Sequence, residues 1–315
     1  MTADSAPSNR IITDRQRELR AERAVAARYW GGFEIRIVAT FAMFAVLWVG
    51  VIVLGTIGVI PLWLGLVVNT VLASTFYMPM HEATHGNIAG GDTSKRGIER
   101  AVGALCSIPT GLSYAAHQPS HMRHHAFTND PDRDPDHWSS GRLRSLPARW
   151  LQTLVILTFL PVFALVPAAQ RCIPGRVQRA LAAEDDRRSG IAQLRFWLLT
   201  HIVLLVAILT GFGWPAFLLW YLPSKLQTFW LIFIFAWFPH HPADEVGRYA
   251  DTRVAVFPGS TLIVRGHDHH AAHHMFPRVP HYRLRALWNE IATDMVAKGV
   301  RSEGSAAGST GPIIW

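Results

Sequence analysis

The chain has 315 residues, 50% of them hydrophobic and 17% charged, with a formal net charge of +8. Soluble domains carry about 25% charged residues, so an ordinary water-soluble globule is excluded, and arginines flanking membrane spans explain the basic balance without nucleic acid. The two cysteines, Cys106 and Cys172, form no CxxC pair, which excludes an iron–sulfur or rubredoxin-like module and a disulfide framework; both read as buried or membrane-edge residues.

Residues 1–33 are polar and rich in arginine, with acids interspersed, and no apolar stretch opens near Met1, so no cleavable signal peptide is expected. Asp14 to Tyr29 has helical composition and is expected along the cytoplasmic membrane surface. Residues 37–55 and 59–80 hold no charge, and each reaches the roughly 20 residues needed to cross a bilayer. The Gly55-Thr56-Ile57-Gly58 turn and Pro61 between them make a hairpin. Its far side lacks Lys and Arg, so both ends are expected in the cytoplasm.

The second span runs into His81-Glu82-Ala83-Thr84-His85, whose two imidazoles share a helix face at i, i+4. Residues 101–116 are broken by Pro109 and Gly111 and are expected to dip into the interface rather than span. His121-Met122-Arg123-His124-His125 follows, trailed by the acidic, proline-interrupted run Phe127 to Asp136. That run is no helix. It is either a solvated loop or a source of carboxylates that take the distal N–H of metal-binding imidazoles.

Residues 151–168 are apolar but contain Pro161 and Pro167, and 169–190 carries five arginines. If 151–168 spanned together with 196–211 and 214–238, the last histidines would face the opposite side from the first. The consistent arrangement lays 151–168 in the cytoplasmic leaflet and makes 196–211 and 214–238 a second hairpin. Gly211-Phe212-Gly213-Trp214-Pro215 joins them; it superficially fits a dinucleotide fingerprint but lacks a preceding strand and is discarded. Lys225 lies in the last span, either at mid-depth or snorkelling outward from a later start near Pro223.

The third cluster is Gly266-His267-Asp268-His269-His270-Ala271-Ala272-His273-His274-Met275-Phe276-Pro277. His270, His273 and His274 fall on one helical face, and Pro277 and Pro280 stop the helix beyond it. One HxxxH and two HxxHH patterns supply eight imidazoles, too many for one ion, so two metals are implied. Imidazole suits iron, zinc, copper and nickel; zinc would bring no redox chemistry, whereas two irons would bring dioxygen chemistry.

These clusters, His81-Glu-Ala-Thr-His85-Gly, His121-Met-Arg-His124-His125 and His270-Ala-Ala-His273-His274-Met-Phe-Pro-Arg-Val-Pro, resemble the three histidine boxes of the membrane fatty acid desaturase superfamily. The resemblance covers roughly residues 35–290. It implies an all-α integral membrane fold with about four transmembrane helices in two hairpins and a cytoplasmic cap carrying the boxes. It further implies two Fe ions, O2 as co-substrate, and oxidation of an unactivated C–H. His81, His85, His121, His124, His125, His270, His273 and His274 carry over as iron ligands. A further ligand just after the last span is expected at His240, in Pro239-His240-His241-Pro242. That run, with Gly247-Arg248-Tyr249-Ala250-Asp251-Thr252-Arg253 after it, is similar to the carotenoid hydroxylase branch. No Asn precedes His240 in the last span, where some acyl-CoA desaturases place one, which argues against the acyl-CoA branch.

Of the other histidines, His117 shares the face of His121 and is a ligand or a support for one. His267 and His269 stand beside the third box, His137 and His281 are expected in solvent, and His201 is expected as a hydrogen-bonded packing residue; the role of His241 stays open.

The reading is then a cytoplasmic segment 1–33, a membrane di-iron domain 34–295 and a tail 296–315, with both termini and all boxes in the cytoplasm. The expected activity is O2-dependent desaturation of fatty acyl chains of lipids. Alternatives are a hydroxylase or ketolase of a carotenoid or alkane and, from another class, a histidine-lined metal transporter. Without a nicotinamide, flavin, haem or iron–sulfur site, electrons are expected from a separate carrier such as ferredoxin, rubredoxin or a cytochrome b5-type protein with its reductase.

Overall fold

The computed structural model describes residues 6–173, 175 and 184–315 and is mostly helical. Four of its helices are long and apolar enough to cross a membrane: Ile35–Thr56, Leu62–Thr84, Arg188–Leu209 and Gly213–Trp237. At 1.5 Å per residue, the 22-residue Ile35–Thr56 helix is about 33 Å long. It exposes Met43, Val46, Leu47, Val49 and Val53, and the third exposes Leu198, Leu199, Ile202, Val203 and Leu205. Such continuous apolar surface belongs against lipid.

In chain order, α1 (Ala6–Ala26) precedes the first spanning helix α2 (Ile35–Thr56). The second consists of α3 (Leu62–Thr75) and α4 (Tyr77–Thr84), meeting at Phe76. α5 (Arg96–Thr110) ends at Gly111, whose φ of 69° makes it a left-handed cap; with 15 residues it is too short to cross. α6 (Tyr114–Phe127) carries the second box, with the Ser113 hydroxyl accepting from Ala116 N at its start.

The 151–168 stretch forms no single long helix. It is broken into α7 (Leu146–Thr158), α8 (Leu160–Leu165) and α9 (Pro167–Gln170), with Pro161 and Pro167 opening the last two. The 169–190 loop expected from the arginines is corrected at its end, because α10 (Glu184–Leu209) starts ahead of the apolar residues. The helix therefore begins within the charged segment and runs on into the apolar one without a break. Arg176 and Arg179 lie outside the described residues.

The last span, α11 (Gly213–Trp237), contains two π-helical segments, Phe217–Tyr221 and Ile232–Trp237. The extra residue per turn appears in Phe238 N donating to Phe233 O, five residues back. Leu219 enters the gap between α2 and α3 because Gly55 and Gly65 stand there: a Cβ on Gly65 would lie 2.3 Å from Leu219 Cδ2. The buried Asn69 amide donates to Leu219 O at 2.7 Å, so a backbone acceptor inside the span is satisfied from a neighbouring helix. Around Phe76, the rings of Phe41, Phe44 and Trp48 pack edge-on at 6.1–6.5 Å.

The polar part adds β1 (Arg253–Val256), α12 (Ser260–Ile263), α13 (His270–Met275), α14 (His281–Ala297) and β2 (Arg301–Gly304). β1 and β2 pair in parallel, Arg253 opposite Arg301, a feature the hydropathy pattern does not signal in strands of four residues. Leu284, Leu287, Trp288 and Ile291 of α14 pack with Met275, Phe276, Val279 and Val254 in a second apolar cluster. Arg253 is fully buried, with Nη1 2.7 Å from Glu303 Oε2 and its guanidinium donating also to the carbonyls of Phe238 and Ile314. Residues 301–315 therefore fold back onto the domain, with the Trp315 ring 5.5 Å from Phe238.

Candidate metal centre

The first box lies on the last turn of the second span, the second on α6, and the third on α13. His240 follows the last span, held by β1 through Arg253 N donating to Pro239 O. Four segments distant in sequence thus deliver imidazoles to one place. The nine form two groups: His81, His85, His121, His125 and His273 in one, and His124, His240, His270 and His274 in the other. Within each group one ring nitrogen per residue lies within 4.8 Å of the rest.

The distances suit metal ions better than hydrogen bonds. His121 Nε2 lies 2.9 Å from His85 Nε2 and 3.1 Å from His125 Nε2, which is itself 3.1 Å from His273 Nε2. An imidazole Nε2 holds either one proton or one lone pair, so at most two of these three contacts can be hydrogen bonds. Lone pairs converging on a shared cation satisfy all three. Two nitrogens each about 2.1 Å from one ion and at right angles are about 3 Å apart, the separation found here and between His240 and His270, 3.1 Å. Both ring nitrogens of His81 and Nε2 of His274 are buried without a hydrogen-bond partner, a cost that a bound cation removes.

Two distal contacts set the tautomers. His124 Nδ1 donates to Asp134 Oδ1 at 2.8 Å, which leaves Nε2 as the nitrogen for a metal. Thr128 Oγ1 donates to His124 O at 2.8 Å, so at 3.2 Å from His274 Nδ1 it must accept from that ring. His274 then presents Nε2 as a lone pair. The acidic run thus divides: Asp134 serves the imidazole, while Asp130 pairs with Arg133 on the surface. Thr128 was legible only as part of that loop; nothing in its residue type marks the contact.

Burial, then the neighbouring imidazoles, hold His121, His125, His270, His273 and His274 well below the ordinary histidine range. His85 falls to about 4, chiefly by burial. These rings stay neutral and ready to bind a metal. For His124 burial also opposes charge, but the Asp134 and Asp136 carboxylates outweigh it and raise the group to about 9.

His117, His241, His267 and His269 belong to neither group. The His117 ring lies 5.1 Å from that of His121 with Nε2 buried and unpartnered. His267 sits 4.0 Å from the Phe235 ring, and His269 faces Asp268 at 3.0 Å. His201 is the hydrogen-bonded packing residue expected, 2.8 Å from Trp197 O and 3.2 Å from the Tyr221 hydroxyl. His281 corrects the expectation of a solvated side chain: its Nδ1 and backbone N both lie 3.0 Å from Glu82 Oε1. Glu82 is wholly buried and also accepts from Asn87, which ties the first box to α14. His137 is half-buried rather than solvated.

A cavity of about 210 Å³ opens beside both groups, lined by Tyr77, His117, Leu157, Thr228, Phe235 and His267 among others. The π-helical Ile232–Trp237 segment shapes one wall, contributing Ile232, Phe235 and Ala236.

A fatty acid desaturase family model matches residues 57–302. The chain is 24% identical over 228 residues to an sn-1 acyl-lipid omega-3 desaturase (ferredoxin) of Synechocystis sp., covering 67% of this chain and 62% of that protein. It is 22% identical over 241 residues to an omega-3 fatty acid desaturase of Caenorhabditis elegans, with 70% and 59% covered. A beta-carotene ketolase of Paracoccus sp. is 24% identical over 220 residues, covering 68% of this chain and 74% of the ketolase. The chain thus spans less than two thirds of the two desaturases. With the family model covering most of the sequence and all three boxes inside it, the chain belongs to the fatty acid desaturase family.

Proposed function

We propose that this protein is an O2-dependent di-iron desaturase acting on fatty acyl chains of lipids. The carrying observation is the pair of five- and four-imidazole groups beside an apolar cavity, at the end of helices able to cross a membrane. Two irons held by His81, His85, His121, His125, His273 and by His124, His240, His270, His274 would supply dioxygen activation and oxidation of an unactivated C–H. The protein's own part is to keep the rings other than His124 neutral, hold His124 through Asp134, fix the His274 tautomer, and hold an apolar chain against them away from water.

The reading places the spans in two hairpins, with the boxes and both termini in the cytoplasm, where arginine-rich segments belong. A separate electron carrier is part of it; the ferredoxin named for the Synechocystis relative supports a carrier of that type. A metal transporter fits poorly, since its ligands belong near mid-membrane on broken helices, and here they cluster at helix ends and beyond.

A second reading, carotenoid ketolase or hydroxylase, is favoured by the fuller coverage of the Paracoccus ketolase. Fold alone does not choose between them. Turnover in membranes containing acyl lipids and carotenoids under heavy dioxygen does. Desaturation leaves the lipid product unlabelled and both heavy oxygens in water; label in a hydroxyl or keto product establishes the alternative.

A further inference from the structure

A second cavity, of about 420 Å³, lies among the start of α2, residues 75–79, the turn 261–269 and the start of α14. None of the nine grouped imidazoles lines it. Its apolar side is made by Ile37, Phe44 and Met78 of the spanning helices, and three arginines, Arg36, Arg265 and Arg285, also line it.

The cavity's charge balance is uneven. Among the described residues no carboxylate lies within ion-pair distance of Arg36, Arg265 or Arg285; Arg36 instead covers the Tyr282 ring at 4.5 Å. The nearby carboxylates are committed elsewhere. Glu34 takes Tyr282 and Arg283, and Glu82 takes His281 and Asn87. Asp268, which lines the cavity, accepts from Ser260 and Thr261 and faces His269.

Arg265 is the most telling of the three. Its φ is +54°, followed by +82° at Gly266, a left-handed conformation uncommon in a long side chain. Its Nη2 reaches only Ser74 Oγ, at 3.2 Å, and its buried Nε has no partner. A half-buried guanidinium with open donors beside apolar helices is a site for a multidentate anion.

We propose that this cavity binds the phosphodiester headgroup of an anionic membrane lipid, with an acyl chain lying along Ile37, Phe44 and Met78. Basic pockets at the ends of membrane helices attract such headgroups. The apolar side favours a lipid over a free anion, and the concave shape between the spanning helices and the polar part favours it over an acidic protein. The site stands independently of the reaction at the histidines.

The test uses the full chain purified in neutral detergent, titrated by native mass spectrometry with short-chain phosphatidylglycerol and, separately, phosphatidylcholine. Phosphatidylglycerol should bind at least tenfold more tightly. R36Q/R265Q/R285Q should abolish that preference, and R142Q/R144Q, at exposed arginines elsewhere, should keep it. Should the triple variant not fold, R36Q/R285Q, at two exposed positions, should still weaken binding threefold or more. Equal binding of both lipids, or full preference in the folded variants, overturns the proposal. So does inorganic phosphate binding as tightly as the lipid, which marks a small-anion site. Loss of binding to an acidic ferredoxin with lipid preference intact would assign the arginines to a protein partner instead.

Discussion

Asp134 Oδ1 stands 2.8 Å from His124 Nδ1, and the same carboxylate accepts from the backbone N–H groups of Asn129 and Asp136 at 2.8 Å. One buried side chain thus closes its own loop and orients an imidazole of the four-histidine group. Asp134→Asn removes the charge that supports the ring, and loss of such a partner typically costs about 10–100-fold in metal affinity. Iron content per chain should fall accordingly, while Asp130→Asn, at the surface pair with Arg133, should leave it unchanged. Equal iron in both variants would contradict the assigned role of Asp134.

Adjacent residues give a sharper test of the ligand set. His240 lies in the four-histidine group with Nε2 3.1 Å from His270 Nε2; His241 lies outside, its ring 4.5 Å from Trp237. His240→Ala should lose bound iron and turnover, and His241→Ala should keep its iron. The same loss is expected for alanine at each of the other eight grouped histidines. An active preparation containing zinc and no iron would sink the di-iron reading.

Glu22 joins α1 to the rest of the polar domain through Arg248 at 2.9 Å, Tyr249 at 2.7 Å and Lys298 at 2.8 Å. Burial raises its pKa, but Lys298, Tyr249 and Arg248 together bring it below its ordinary 4.5. A lowered carboxylate contributes stability that is fully present above that ordinary value and is lost as pH falls through the lowered one. Glu22→Gln should cost about 1–3 kcal/mol near neutral pH. The gap in melting temperature from wild type should narrow as pH falls below about 4.5. A constant gap across that range would mean that the charge is not what holds the helix.

Topology is testable at Ile57, in the exposed turn after α2, and Ser305, exposed after β2. In a Cys172→Ser background, with Cys106 buried, Ile57→Cys should react with an impermeant thiol reagent on intact cells. Ser305→Cys should react only after permeabilisation. Labelling of both from outside would break the two-hairpin arrangement.

Lys225 is the thirteenth of 25 residues in the last spanning helix and is buried, with Nζ 5.1 Å from the Tyr221 ring. If the whole Gly213–Trp237 helix crosses the bilayer, the ammonium lies near mid-depth, where a charge costs roughly 2.5–3.5 kcal/mol on insertion scales; entry near Pro223 would instead let it snorkel outward. Lys225→Leu should shift chain-length or end-group preference with iron content unchanged. Unaltered product distribution would leave the lysine without a part in selectivity.

The spanning helices and eight of the nine grouped histidines were legible in the sequence because both rest on local rules. Uncharged runs of bilayer length declare spans, and i, i+3, i+4 spacing puts imidazoles on one helical face. His240 needed the family resemblance, since a lone residue after a span has no spacing to read. The division into five and four belongs to the tertiary structure alone. His124 and His125 are neighbours in the chain yet join different groups, as do His273 and His274, because successive helical residues point about 100° apart and each meets a different partner segment. The pairing of Glu82 with His281, 199 residues apart, likewise depends on α14 packing over the first box. Sequence periodicity describes one element at a time, and only the packing of several elements decides which side chains share a buried site.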